Sequence, residues 1–229
     1  MHNLPHSSNP RFPANRVTPN LAIKRTCPRQ AAYVKRWRHK KRHMTRRIFL
    51  DTEWTAPPWS DRCELMWIGL ADDDGRSWYG ISSQVVIDPS TNLFVSGAFR
   101  LIDPAEPRLT KPQLASAVMN FCGAVDEFWV WIPTLERFTE WSGLAEGAAD
   151  AYAKSRDVDL QMLQALVDPW PTGWPNRLQD LNAAAVAAGV NIPPRAPNHL
   201  HPRVHVEWNR ELFRRIRASA STRARTLDG

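Results

Sequence analysis

Three short apolar segments follow one another between residues 47 and 82. Residues 47–54 read RIFLDTEW and residues 64–71 read ELMWIGLA, after which the turn Asp72-Asp73-Asp74-Gly75 leads into residues 77–82, SWYGIS. Apolar segments of this length between turn residues are typical of strands, and Asp-Gly is a favoured hairpin turn. The pattern therefore predicts a three-stranded antiparallel meander.

The rest of the chain alternates loops, helical periodicity and one further strand. Prolines predict a loop-rich stretch over residues 88–110, and residues 127–132, EFWVWI, predict a short strand. Apolar spacing predicts helices over 111–125, from 135 to 141, within 143–166, over 177–188 and over 204–217. This order predicts an α/β domain over residues 47–218, with helices flanking a central mixed sheet, and a frayed tail at 219–229.

Charge is distributed very unevenly along the chain. The total is 30 Lys and Arg against 23 Asp and Glu, but residues 1–47 hold 13 of the basic residues and no acid, so residues 48–229 hold 17 (30 − 13) against 23. Residues 1–46 are therefore interpreted as a basic extension, with a mildly acidic domain after it. A net charge of +7 does not by itself indicate nucleic-acid binding.

Three interpretations of the basic extension stay open. Residues 35–47, KRWRHKKRHMTRR, could bind phosphates as a flexible arm, or could form a solvated, disordered segment without a ligand. The third interpretation is that translation starts at Met44, just before the first predicted strand. That start would remove 11 of the 30 basic residues and leave 19.

Composition excludes several classes of protein. No apolar run reaches the roughly 18 residues of a membrane span, so no membrane partner is expected. Cys27, Cys63 and Cys122 are far apart and form no CxxC pair, which argues against a disulfide scaffold or a structural zinc site. We expect a protein of the reducing cytoplasm.

The strongest local motif for chemistry is Asp51-Thr52-Glu53. Residues two apart in a strand point to the same side, so Asp51 and Glu53 are expected to project together at the end of the first predicted strand. Two carboxylates in one place repel each other, and a hard cation such as Mg²⁺ or Mn²⁺ would relieve that repulsion. Solvated turn acids are the alternative interpretation of this motif.

The wider pattern resembles the DEDD 3′–5′ exonucleases of the DEDDh type, above all the small bacterial polyadenylate-specific 3′–5′ exoribonucleases. The resemblance runs in order over residues 47–217, and no single motif decides it. Its elements are the segment with Asp51 and Glu53, the next two predicted strands, residues 127–131, residues 175–178 (PNRL) and residues 192–195 (IPPR).

The resemblance implies a ribonuclease H-like fold and a divalent-metal-dependent exonuclease. Such an enzyme hydrolyses phosphodiester bonds from the 3′ end of single strands, here expected to be RNA rather than DNA. In that family four acids bind two metal ions, Mg²⁺ or Mn²⁺, and a histidine acts as general base, so the resemblance implies two ions per site here. The resemblance also implies a homodimer as one possible assembly.

The family's site residues carry over only in part. Asp51 and Glu53 match, and the next acid position, normally Asp, falls on Glu136. In the last motif the general-base position falls on Leu200, which cannot accept a proton, and the final acid position falls on His205. The predicted catalytic residues are Asp51, Glu53, Glu136, His201 and His205, with Asp51, Glu53, Glu136 and His205 as the metal ligands.

Neighbouring residues leave alternatives open around the last motif. His199 or His201 could act as base if the loop is shifted by one residue, and Glu207 could replace His205 as ligand. The histidines could also be ordinary surface residues. Trp54 and Trp59 could stack on a base at the 3′ end, or could pack in the core.

Three hypotheses about function follow. The first is the metal-dependent 3′–5′ exonuclease, and the second is a decayed nuclease fold that binds nucleic acid without cleaving it. The third is an unrelated α/β protein in which Asp51 and Glu53 coincide by chance. Convergence of Asp51, Glu53 and Glu136, with a histidine facing them, would favour the first.

Overall fold

Six strands form one mixed sheet in the order β4-β3-β2-β1-β5-β6. The computed structural model describes residues 45–56, 63–85, 103, 105–144, 146–195 and 201–227, all within the compact unit Thr45–Gly229. Antiparallel pairing joins β1 to β2 and β2 to β3, whereas β5 runs parallel to β1, β6 to β5, and β4 to β3. The strands are β1 (Arg47–Trp54), β2 (Leu65–Asp72), β3 (Ser77–Ser82), β4 (Arg108–Leu109), β5 (Glu127–Val130) and β6 (Leu178–Asp180).

Helices cover both faces of this sheet. Leu114 and Val118 of the first helix and Leu163 of the fourth pack with Ile48 and Leu50 of β1 on one face. The last two helices pack with Phe49 and Ala71 on the other face. The helices are α1 (Lys111–Cys122), α2 (Leu135–Ser142), α3 (Ala148–Ser155), α4 (Val158–Leu166), α5 (Leu181–Ala188) and α6 (Pro202–Leu227).

The chain therefore forms an α/β domain with a six-stranded mixed sheet flanked by helices, as predicted. The antiparallel meander of β1, β2 and β3 is confirmed, with bounds within a residue of those predicted. Gly189, in the left-handed conformation at φ 59°, ends α5 at the expected place. Much of the predicted loop over residues 88–110 lies outside the described residues.

The predicted helix over 177–188 is wrong in its first turn. Residues 178–180 form β6 instead, because they pair with β5 in a parallel ladder. Asp180 then begins α5, since its carboxylate accepts the backbone N–H groups of Asn182 and Ala183.

The C-terminal helix is longer than its apolar pattern predicts. The spacing predicts a helix over 204–217 followed by a frayed tail, but α6 continues to Leu227. Ser219 and Arg223 donate hydrogen bonds to the carbonyl of Ala188 at the end of α5. These contacts give the polar end of α6 partners that a one-dimensional pattern does not show.

Helix α6 lies very close to the sheet at Gly69. A Cβ atom at this position of β2 would come 2.6 Å from the carbonyl oxygen of Pro202 and 3.0 Å from a methyl group of Val206. Glycine is therefore needed here for the backbone of α6 to approach the strand. Gly69 pairs directly with Asp51 of β1, so this close approach brings α6 to the acidic end of the sheet.

Candidate metal centre

Asp51 and Glu53 lie on the same face of β1, near its carboxyl end. Both residues are buried, with 8% and 7% of their surface exposed. The register of β1 against β2 shifts between Glu53 and Trp54, which ends the regular ladder just after the two acids. The sequence prediction that both acids project to one side is confirmed.

The neighbouring strand β5 leaves this end of β1 open. Parallel pairing between β1 and β5 stops at Phe49, so side chains bond the β1 backbone beyond that point. Asp159, in the first turn of α4, accepts the N–H of Thr52 at 2.8 Å and its hydroxyl at 2.5 Å. Asn209 of α6 donates to the carbonyl of Leu50 at 3.4 Å. The gap between β1 and β5 is thus lined by side chains from both helical layers.

His205 of α6 completes a group of three possible metal ligands. Its side chain is 9% exposed, and its Nδ1 lies 2.6 Å from Oδ1 of Asp51. One ligand atom each from Asp51, Glu53 and His205 lies within 4.8 Å of the other two. The first strand and the last helix therefore assemble the group.

The group has buried polar atoms that fit a bound cation. Oδ2 of Asp51 and both ring nitrogens of His205 have no hydrogen-bond partner among the described residues. The short approach of His205 Nδ1 to Asp51 thus lacks the alignment of a hydrogen bond. Buried polar atoms without partners destabilise a fold unless something binds them. Two carboxylates and one imidazole suit a divalent ion such as Mn²⁺, which accepts both oxygen and nitrogen ligands.

Burial and mutual repulsion disfavour the state in which all of these acids are charged without a cation. Burial, followed by the charges of Asp51 and Asp159, holds the pKa of Glu53 well above its ordinary value. Burial and the charge of Asp51 raise the pKa of Asp159 to about 7, against the opposing effect of its hydrogen bonds from Thr52. A cation at this site would favour the ionised forms and release protons on binding.

An arginine that contacts two tryptophan rings lies within electrostatic reach of the acids. Cζ of Arg195 lies 3.9 Å from the ring centroid of Trp131 and 5.1 Å from that of Trp208. Burial lowers the pKa of Arg195 to about 10, while the charges of Asp51 and Glu53 oppose that shift. The guanidinium is therefore charged at neutral pH and acts on both carboxylates.

Glu136 does not join the group. Thr134 caps α2 by accepting the N–H of Arg137, which places Glu136 in the exposed first turn of that helix. The structure therefore puts the Glu136 carboxylate in solvent rather than beside Asp51 and Glu53. Asp159, from α4, is instead the further acid whose charge raises the pKa of Glu53.

His201 and Glu207 also have other surroundings. The ring of His201 packs edge-on against Tyr79 of β3, with centroids 5.0 Å apart, and its Nδ1 accepts the N–H of Arg203. Burial lowers the pKa of His201. Glu207 accepts the hydroxyl of Ser77 at 2.6 Å. Both residues thus face β3, two strands from Asp51.

Some predicted residues lie outside the described part of the chain. They are His199, Leu200, Trp59 and the basic segment before Thr45. Trp54 is described and half-buried next to the acids, which leaves both interpretations of it open.

Sequence reasoning missed Asp159, Arg195 and Asn209. One signal pointed to Asp159: it stands between the apolar residues Val158 and Leu160, both buried in α4. Arg195 ends the segment 192–195 that supports the resemblance, but that segment gave it no role, and Asn209 had only its place in an apolar stripe of α6. Their roles depend on the packing of α4 and α6 against β1, which local sequence does not encode.

A separate cavity of about 260 Å³ lies between β2, α1 and α4, and it holds none of these ligands. No described helix has both the length and the apolarity to cross a membrane. In comparisons with known proteins, no family model and no curated protein matches the chain.

Proposed function

We propose that the protein is a divalent-metal-dependent 3′–5′ exonuclease that acts on single-stranded nucleic acid, RNA rather than DNA. The observation that carries this proposal is the buried group of Asp51, Glu53 and His205, whose ligand atoms lie within 4.8 Å of one another. The six-stranded mixed sheet, opened by an antiparallel meander, is compatible with a ribonuclease H-like fold. The order of motifs along the chain supports the same proposal.

Three of the residues would bind the metal ion, and two others hold the strand that carries the acids. Asp51, Glu53 and His205 would hold a divalent ion, which supplies activation of water and stabilisation of negative charge at the phosphate. His205 serves as ligand rather than as base, because its ring is buried against Asp51. Asp159 and Asn209 fix the backbone of β1, so that Asp51 and Glu53 keep their position. The imidazole favours Mn²⁺ over Mg²⁺.

The exposed position of Glu136 favours a second candidate function, binding without cleavage. A site with two carboxylates and one imidazole holds fewer charged ligands than the four acids of the resembled family. Leu200, at that family's general-base position, offers no group that accepts a proton. The chain would then bind single strands through a nuclease fold that has lost hydrolysis.

An assay with 5′-labelled single-stranded RNA separates the two candidates. The exonuclease is expected to produce a ladder that shortens from the 3′ end with Mn²⁺, more slowly with Mg²⁺, and not at all in EDTA. Circular RNA of the same sequence should resist, because it has no 3′ end, and matched DNA tests the preferred sugar. Asp51→Asn should reduce cleavage to background. Binding of the RNA without shortening under every divalent ion would instead establish the second candidate.

A further inference from the structure

Positive charge is concentrated on the C-terminal helix α6. This helix holds seven arginines and two glutamates, whereas the rest of residues 48–229 holds 10 basic residues (17 − 7) against 21 acids (23 − 2). The helix is therefore a basic element in an otherwise acidic domain. Because a surface of one charge attracts a partner of the opposite charge, this distribution favours an anionic partner on α6.

Four of these arginines form a row along one side of the helix, here called the arginine stripe. Its members are Arg203, Arg210, Arg214 and Arg217. Successive members are seven, four and three residues apart, and these spacings place side chains on the same side of an α-helix. At a rise of 1.5 Å per residue, the stripe is about 21 Å long.

The far end of the arginine stripe carries charge that the fold does not use. Arg214 and Arg217 are exposed, and neither guanidinium has a hydrogen-bond or ion-pair partner among the described residues. Arg215 stands between them in sequence but points to a different side of the helix, where it pairs with Glu211 at 3.2 Å. Two permanently charged groups are therefore available there to an external anion.

The near end of the stripe adjoins the candidate metal centre. Arg203 lies in the first turn of α6, the turn that His205 closes. Its ion pair with Glu207 is long, at 3.8 Å, and exposed, so it is weak and can exchange for another anion. Arg210 donates a hydrogen bond at 3.1 Å to the carbonyl of Arg76, next to the turn between β2 and β3. The stripe thus leads from the turn of His205 past this hairpin to the two unpaired arginines.

Single-stranded nucleic acid fits such a row of charges. Each of its phosphates carries a negative charge, and a guanidinium binds phosphate oxygens with a pair of N–H donors. A strand whose 3′ end lies at the metal centre has further phosphates upstream, and these need a positive surface on a domain that is otherwise acidic. A membrane fits less well, because the apolar side of α6 packs on the sheet.

We propose that the arginine stripe of α6 binds the phosphates of single-stranded RNA upstream of its 3′ end. The inference deepens the proposed function and rests on it for the place of that end. Arginines that contact phosphates position a strand without reading its bases. Binding through the stripe should therefore depend strongly on salt and only weakly on sequence.

Fluorescence anisotropy of a 5′-labelled single-stranded RNA, measured in EDTA to prevent cleavage, tests this inference over a range of NaCl concentrations. Arg214→Gln and Arg217→Gln should each weaken binding and lower the slope of log K against log[salt] by about 0.7, the value for one lost phosphate contact. Arg214→Lys should keep the slope, since it keeps the charge. Arg215→Gln is the matched control, because this arginine is already paired with Glu211, and its slope should stay at the wild-type value.

Unchanged slopes in both Arg214→Gln and Arg217→Gln would overturn the inference. An equal fall in Arg215→Gln would do the same, because it would show an effect of net charge alone, and so would a wild-type protein that binds no RNA at low salt. Vesicles that contain phosphatidylserine test a membrane as partner. If the two arginines supported binding to vesicles but not to RNA, the stripe would belong to a lipid surface. Circular dichroism checks that each variant folds.

The cleavage assay scores the proposed function separately. Mn²⁺ affinity should be the same in every arginine variant, because Asp51, Glu53 and His205 remain. A protein that binds RNA through the stripe but shortens none keeps this surface and loses the exonuclease proposal. An active exonuclease whose RNA binding does not depend on Arg214 and Arg217 retains the proposed function and loses the inference.

Discussion

At the scale of single residues, the acids at the end of β1 have opposite effects on stability and on metal binding. Burial and mutual repulsion make Asp51 and Glu53 costly for the fold without a cation, yet the same properties make them good metal ligands. Such a site is expected to lower the stability of the metal-free protein in favour of function. Conservative substitutions can therefore separate stability from metal binding.

Glu53→Gln is expected to raise the thermal stability of the metal-free protein at pH 8 and to abolish its stabilisation by Mn²⁺. The amide removes a carboxylate whose pKa burial and neighbouring charges hold well above the ordinary value. Melting temperatures in EDTA and in Mn²⁺ measure both effects. Glu136→Gln is the control. Because Glu136 is exposed, this substitution should leave both melting temperatures unchanged. If Glu136→Gln abolished the stabilisation by Mn²⁺, Glu136 would be a metal ligand after all.

Asp159 is expected to make the metal-free protein less stable as pH rises. Folding raises its pKa from about 4 to about 7, so its contribution to stability is complete below about pH 4 and is lost as pH rises through about 7. Urea unfolding in EDTA at pH 5 and pH 8 measures the difference. Asp159→Asn can still accept both hydrogen bonds from Thr52 but cannot titrate, so its pH dependence should be weaker. If the free energy of unfolding changed equally between pH 5 and pH 8 in both proteins, Asp159 would not be the group that titrates.

How far the sequence predicts the site is also clearest at residue scale. Asp51 and Glu53 follow from strand periodicity alone, and His205 follows from the ordered resemblance to a known family. Glu136 shows the limit of such a resemblance, because the cap at Thr134 turns it into solvent. Asp159 comes from a segment without a motif, and Arg195 comes from a segment to which the resemblance gave no role. Tertiary packing brings Asp159 to Thr52 of β1 and Arg195 to Trp131 and Trp208.

At the scale of elements, the fit between β2 and α6 determines whether the site forms. Gly69 lets the first turn of α6 approach the sheet, and His205 closes that turn, since its N–H donates to the carbonyl of His201. A displacement of α6 by even a fraction of an ångström would move His205 relative to Asp51. Strand patterns predicted the meander well, but nothing in β2 itself indicates which helix lies over Gly69.

Gly69→Ala is therefore expected to destabilise the protein by about 1–3 kcal/mol and to weaken Mn²⁺ binding, because the new methyl group meets the backbone of Pro202. Gly80→Ala is the matched control. Its methyl group would meet side chains of Leu114 and Trp78 on the face that α1 covers. It should lower stability without changing the affinity for Mn²⁺, as measured by denaturation and calorimetry. Equal losses of affinity in the two variants would argue against a specific role for the α6 approach.

At the scale of the whole molecule, the basic residues divide into two groups. Arg46 donates to the carbonyls of Phe121 and Cys122, and Arg47 pairs with Glu127 and Asp73. These two arginines belong to the compact unit Thr45–Gly229, so 11 (13 − 2) of the 13 basic residues in positions 1–47 precede Thr45. The sequence showed the split in charge but not this boundary, because adjacent arginines look alike without their partners.

Removal of residues 1–43 is expected to weaken RNA binding and to reduce its dependence on salt, if the basic segment binds phosphates. For each phosphate that the shortened protein no longer neutralises, the slope of log K against log[salt] should fall by about 0.7 for a single strand. Fluorescence anisotropy over a range of NaCl concentrations measures the slope. Mn²⁺ affinity should stay the same, since Asp51, Glu53 and His205 remain. An unchanged slope would show that the segment binds no phosphate.

The bond from Asn209 to Leu50 joins positions 159 residues apart, and His205 meets Asp51 across almost the same length of chain. Contacts of such high sequence separation form late in folding. The chain loses conformational entropy when the long loop closes, and only afterwards does the contact stabilise it. A nascent chain therefore lacks the metal site until α6 has been synthesised and has docked. A bound ion should accordingly slow unfolding while leaving the refolding rate almost unchanged, which stopped-flow measurements with Mn²⁺ and with EDTA would show.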